Sequence, residues 1–171
     1  MRLARLFPLC IFSVCLLGCS AEGAVSLTGS IGNVNVAVSE QGFVANLEGG
    51  FDVYLELGER ASGASDVSFS AFSLVRADTG AAVLAKEHLS VVGSKATPLR
   101  IQPGGSNTIH FDIGDQAQPG APVTPMELPK DDFAALCGAG SLQIIGTLQD
   151  SADGQRPSTL SSVAFSPTGC P

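Results

Sequence analysis

The amino-acid sequence predicts an all-β protein: a two-sheet antiparallel sandwich of about seven to nine strands, with one short helix before the last hairpin. Three observations predict it. Apolar residues recur at every second position over short runs, the period of a half-buried strand. Turn-forming residues separate those runs, and the 171 residues include 20 Gly and 10 Pro. Only 15% of the residues are charged and Trp is absent, and few stretches of helix-forming residues occur.

The first residues lie outside that fold. Arg2 and Arg5 precede an apolar run from Leu6 to Leu17. As a helix this run spans only about 18 Å, too short for a bilayer core of roughly 30 Å. A basic start followed by a short apolar run is a secretion signal. The run ends in Leu16-Leu17-Gly18-Cys19, which resembles the lipobox of bacterial lipoprotein precursors. The resemblance implies cleavage between Gly18 and Cys19 and a diacylglycerol thioether on Cys19. Ser20, the residue after that Cys, implies sorting to the outer membrane. Leu17 is larger than the family prefers at its position. The alternative is ordinary secretion, because Cys19-Ser20-Ala21 has the small-x-small form that is cut after Ala21. The organisation expected is a signal at 1–18, a lipidated Cys and tether at 19–32, and a sandwich domain at 33–171.

Residues 20–32 are small and polar and read as a short tether or a weak first strand. Val34, Val36 and Val38 alternate with polar or small neighbours, as do Phe51, Val53, Leu55 and Leu57. Residues 67–76 bury Val67 and Phe69 in one phase and Phe72 and Leu74 in the other, which predicts a bulge between them. Ala77-Asp78-Thr79-Gly80 turns the chain into a strand at 81–85, and short strands are expected at 89–92 and around Leu99 and Ile101. Pro103-Gly104-Gly105-Ser106 leads into a strand at 108–113, with Ile109, Phe111 and Ile113 inward and Thr108, His110 and Asp112 outward. Residues 116–129 hold four Pro and read as an extended loop. Asp131 to Leu136 is the helix, with acidic residues at its start and Gly138 as its stop. The layout resembles immunoglobulin-like or fibronectin-like bacterial domains, most of all in the Pro-Gly-Gly-Ser lead-in. It lacks the Trp and the inter-sheet Cys pair of antibody domains.

The last segment is read as a hairpin. Leu142, Ile144, Gly146 and Leu148 share one face, Val163 and Phe165 are apolar on the return strand, and Asp153-Gly154 suits a tight turn. A two-residue turn there opposes Leu142 to Phe165, Ile144 to Val163 and Cys137 to Cys170. Removing the signal and committing Cys19 to lipid leaves Cys137 and Cys170 as a pair in an oxidising compartment, where a disulfide is expected.

The formal charge is −7. Without Arg2 and Arg5 the mature chain carries seven basic against sixteen acidic side chains, near −9. Such a surface repels phosphate backbones and disfavours nucleic acid, so a charged partner should be cationic. The sequence contains no HExxH, CxxC, GxSxG or Walker-type loop. His110 and Asp112, about 7 Å apart along a strand, read as a solvated outer face, and His88 reads as a loop residue. Asp150-Ser-Ala-Asp153-Gly154 has a faint likeness to a calcium loop but lacks its remaining carboxylates, and a hairpin turn is the better reading. No catalytic residue, cofactor or metal ligand is assigned. The expectation is a membrane-tethered, non-enzymatic module that binds or positions another component of the bacterial envelope. Its alternatives are a structural or surface-coat lipoprotein and a secreted soluble sandwich. An acid-pair enzyme is the least favoured class.

Overall fold

A computed structural model of the chain describes residues 25–85, 87–151 and 156–171. The signal, the lipobox with Cys19 and Ser20, and the Asp153-Gly154 turn lie outside the described residues. Ten strands and one helix follow in order: β1 (Leu27–Gln41), β2 (Val44–Leu57), β3 (Ser65–Arg76), β4 (Ala82–Leu84), β5 (Val91–Gly93), β6 (Leu99–Ile101), β7 (Ser106–Ile113), β8 (Met126–Leu128), α1 (Lys130–Cys137), β9 (Leu142–Asp150) and β10 (Pro157–Ser161).

These strands form two antiparallel five-stranded sheets. The first runs β1-β2-β7-β5, with β8 also beside β2, and the second runs β10-β9-β3-β4, with β6 also on β3. Taking β1, β2, β7 and β5 as A, B, E and D, and β10, β9, β3 and β4 as G, F, C and C′, gives the immunoglobulin-like strand order. The core lies between the sheets. Phe51, Leu47, Leu57, Leu74, Ile109, Leu142 and Ile144 are fully buried, and each such side chain is worth roughly 1.5–3 kcal/mol. Phe51 packs at 5.0 Å from Phe72 and 5.3 Å from Phe111, ring centre to ring centre.

The clearest alternations are borne out. β2 buries Phe51, Val53, Leu55 and Leu57, and β7 buries Ile109, Phe111 and Ile113 while exposing Thr108 and His110. The register of β3 on β9 shifts between Phe69 and Ala71, the bulge that the change of phase predicts.

Four features differ from the expectation. β1 starts at Leu27, so the second half of the supposed tether is strand, and Ile31 is buried. β1 and β2 also extend toward each other and meet at a two-residue turn, Gly42-Phe43, with Gln41 opposite Val44. Gly42 supplies the positive φ of 69° that this turn needs at its first central position. Within the Pro-rich loop lies β8, where Met126 and Leu128 are buried and pair with Leu47 and Ala45. Pro125 and Pro129 flank this short alternation and hide it.

The fourth difference is the final register. β10 sets Ser161 opposite Ile145 and Leu160 opposite Gly146, one residue away from the expected pairing. Leu160 is the buried residue of β10, and the backbone N–H of Ser162 donates to Ile144 at 2.9 Å. Val163 is therefore expelled, 76% exposed, and Leu142 then faces Phe165 as expected. One extra residue at 162–164 reconciles the two registers. Cys137 and Cys170 are bridged, with Cα atoms 5.4 Å apart.

In α1 the acidic residues Asp131 and Asp132 occupy the first turn, and Leu136 is buried. Gly138 caps it in a right-handed conformation (φ −79°). Two residues before Cys170, Thr168 lies along β1. The Val38 N–H donates to its carbonyl at 2.8 Å and its own N–H donates to Val36 at 3.0 Å.

Candidate functional site

Two places on the molecule bring side chains together in a way that sequence spacing does not show. The first is the outer face of the β1-β2-β7-β5 sheet. The pairing of β2 with β7 sets Asp52 directly opposite His110. Asp52 Oδ1 lies 2.7 Å from His110 Nδ1, and Asp112 Oδ1 lies 3.3 Å from His110 Nε2. The other Asp52 oxygen accepts from Asn33 Nδ2 at 2.8 Å, and Asn33 Nδ2 also donates to the Tyr54 hydroxyl at 2.7 Å.

Asn33 reaches this position because β1 bulges there. The register slips between Gly32 and Asn35, and Asn33 takes a left-handed φ of 50°, which Asn tolerates better than most residues. Across from the bulge, Gly49 has φ 143°, and a Cβ there would meet the Asn35 carbonyl oxygen at 2.0 Å. No side chain fits.

Hydrogen bonding from Asn33, then from His110, holds the Asp52 carboxyl below its ordinary range. The hydrogen bond that His110 donates to Asp52, with the charge of Asp112, outweighs partial burial and raises His110 above its usual value. Both ring nitrogens thus face carboxylates. An imidazolium held this way keeps its proton, whereas a general base needs a free nitrogen aimed at a nucleophile. The Ser94 hydroxyl accepts from the backbone N–H of His110 at 3.1 Å, and the Tyr54 hydroxyl is held by Asn33. The arrangement is an ion-pair lock between β2 and β7.

The second place is a cleft of about 690 Å³ between the edges of the two sheets. Phe69 and Phe72 from β3, and Phe111 from β7, form its floor, and Leu89 and Val91 one wall. Ser70, Glu87, Lys95 and Thr97 stand around the mouth. The cleft exists because β5 and β4 are three residues each and leave the sandwich open on that side. The bulge after Phe69 also turns β3 there. The Phe69 and Phe111 rings meet edge to face at 5.3 Å, so the floor is preformed.

Other candidates resolve into structure. His88 Nδ1 sits 3.3 Å from Asp132 and ties the loop after β4 to α1. Asp150 is buried and accepts a hydrogen bond from Ser65 Oγ, so it points into the sandwich and away from a calcium loop. Among the described residues no group of three or more His, Cys, Asp or Glu is placed to hold a metal ion, and no helix is long and apolar enough to cross a membrane.

Of the residues singled out in the sequence, His110 and Asp112 come together, while Asp52, Asn33 and Tyr54 were missed as their partners. The available signal was an outward Asp on one strand and an outward His on another; the register that joins them was not available. No protein-family model matches the chain, and no curated protein is similar enough in sequence to count as a relative.

Proposed function

We propose that the mature chain is a non-enzymatic β-sandwich, tethered to the bacterial outer membrane through a lipid on Cys19, that binds or positions another envelope component. The single observation that supports binding is the preformed aromatic cleft. A concave site that combines aromatic side chains with exposed polar groups such as Ser70, Lys95 and Thr97 has the mixed lining of a recognition site, and it suits a short segment of a partner that offers both apolar and polar groups. The lipobox supports the tether. With β1 beginning at Leu27, residues 19–26 reach at most about 26 Å at ~3.3 Å per residue, which keeps the domain close to the bilayer.

A photo-cross-linking residue placed in the full-length protein at Ser70 or Thr97, on the cleft mouth, should capture an envelope partner in cells. The same residue at Ser158 on β10 should not. Equal capture from all three positions, or none, would remove the cleft as the binding site. Cys19→Ala should move the protein from the membrane to the soluble fraction. Retention in the membrane would overturn the tether, and a wild-type mature form starting at Glu22 without fatty chains would establish secretion in its place.

A second reading, a structural or surface-coat lipoprotein, draws on the scatter of exposed apolar residues. Val25, Phe43, Val44, Tyr54 and Val163 are exposed, and apart from Phe43 and Val44 at the hairpin tip they sit singly. Failure of every cross-linking position favours this reading.

A further inference from the structure

The two sheets differ in charge. The strands of the β1-β2-β7-β5 sheet, with β8, contain no Lys or Arg, and they carry Glu40, Glu48, Asp52, Glu56, Asp112 and Glu127. The strands of the other sheet carry Arg76 and Arg100 against Asp66 and Asp150 and are neutral in sum. The acidic excess of the molecule is therefore concentrated on one side.

Register places most of those carboxylates on a single surface. Odd-numbered residues of β2 from Ala45 to Leu57 point inward, Gly49 aside, so Glu48, Asp52 and Glu56 point outward, about 13 Å between successive ones. Asp112 lies opposite Gly50, and Glu127 lies opposite Asn46, which puts both on the same outer face. Asp52 and Asp112 share the His110 imidazole. Glu48, Glu56 and Glu127 are exposed and have no cationic partner among the described residues. Lys95, in the loop after β5, donates to the Asn107 side chain and the Thr108 carbonyl.

A second feature of this face points to the same ligand chemistry. Tyr54 stands on β2 between Asp52 and Glu56 and is 39% exposed. Its hydroxyl is fixed by Asn33, and its ring edge lies over Gly32, where a Cβ would sit 3.0 Å from Cε2. Beside it runs a groove of about 290 Å³ lined by Tyr54, Glu56, Ser30 and Thr108. A fixed aromatic ring next to an unpaired carboxylate is a receptor for an ammonium or guanidinium group, through the ring quadrupole and a charge-assisted hydrogen bond.

We infer that the outer face of the β1-β2-β7-β5 sheet docks a Lys- and Arg-rich protein surface, with one cationic side chain seated in the groove between Tyr54 and Glu56. Charge complementarity selects this occupant. A second copy of the chain would oppose like charges, and anionic lipid or nucleic acid would be repelled. The face is separate from the cleft, and neither the cleft nor Cys19 enters the inference, so failure of either leaves it standing.

The test is titration of a fluorescent twelve-residue Lys/Arg peptide with the purified full-length protein in detergent. The triple variant Glu48→Gln, Glu56→Gln, Glu127→Gln is compared with a charge-matched control, Asp66→Asn, Asp78→Asn, Asp131→Asn. All six positions are exposed, and thermal melts of both variants establish that they fold. At about twofold per surface charge, the face triple should weaken binding by roughly tenfold, the control by less than about twofold, and Tyr54→Leu should weaken it further at high salt, where the long-range attraction is screened. Equal losses in both triples would show a response to net charge alone and overturn the docking face, as would absence of binding by the wild type.

Discussion

Removing the bridge between Cys137 and Cys170 should cost more than any surface change. The two residues are 33 apart in sequence. On the chain-entropy account, closing a loop of that size removes about 12.6 cal/mol/K from the unfolded ensemble, or about 3.7 kcal/mol at 25 °C. That is a large part of the roughly 5–15 kcal/mol that holds a typical domain together. For a domain of this length each kcal/mol shifts the melting temperature by roughly 2–4 °C, so Cys137→Ala with Cys170→Ala should lower it by about 7–15 °C. The bridge also presses the last residues against β1, where Thr168 exchanges hydrogen bonds with Val36 and Val38. Scanning calorimetry of the oxidised protein and the double variant measures the global term, and amide exchange at Val38 and Thr168 measures the local one. A fall of less than about 3 °C with unchanged exchange at both amides would refute the reasoning.

Other expectations follow from single contacts. Gly146→Ala places a Cβ 2.5 Å from the Phe72 ring, so it should destabilise by about 1–3 kcal/mol through overpacking, read by denaturant midpoint. Phe51→Ala empties the centre of the aromatic cluster and should cost about 3–5 kcal/mol, and a value below 1 kcal/mol would mean that the core does not close around that ring. The ion-pair lock has a pH signature. The raised His110 contributes fully below its ordinary value of 6.5 and loses its contribution as pH rises through its folded value. The lowered Asp52 contributes above its ordinary value of 3.8 and loses its contribution as pH falls through its own folded value. Melting temperature should therefore be highest from about pH 4 to 6.5 and decline on the alkaline side, and His110→Gln should remove that alkaline decline. Identical profiles for both proteins would sink the assignment.

Where burial alone decided the structure, the sequence carried it. The alternation of β2, β7 and β9, and the bulge of β3, all follow from which side chains must leave water. What could not be read were features that depend on two segments at once. Val163 and Leu160 are both apolar, and only the packing of Leu160 against β9 and β1 decides which turns inward. β8 is three residues between prolines, too short for any period to register. His110 and Asp112 were visible as neighbours on a strand, but Asp52 reaches them only through the pairing of β2 with β7, and Asn33 only through a bulge. The cleft was invisible for a different reason: it is made by what two short edge strands leave uncovered.

The fifteen residues of β1 have a consequence for reach. The chain runs from Leu27 and turns back only at Gly42-Phe43, about 45 Å further on at ~3.3 Å per residue. A fully bared phenyl ring, that of Phe43, therefore crowns the pole opposite the start of β1. The first strand spans the length of its sheet, so whatever is joined to the chain before Leu27 and whatever touches the hairpin tip stand at opposite ends of the domain.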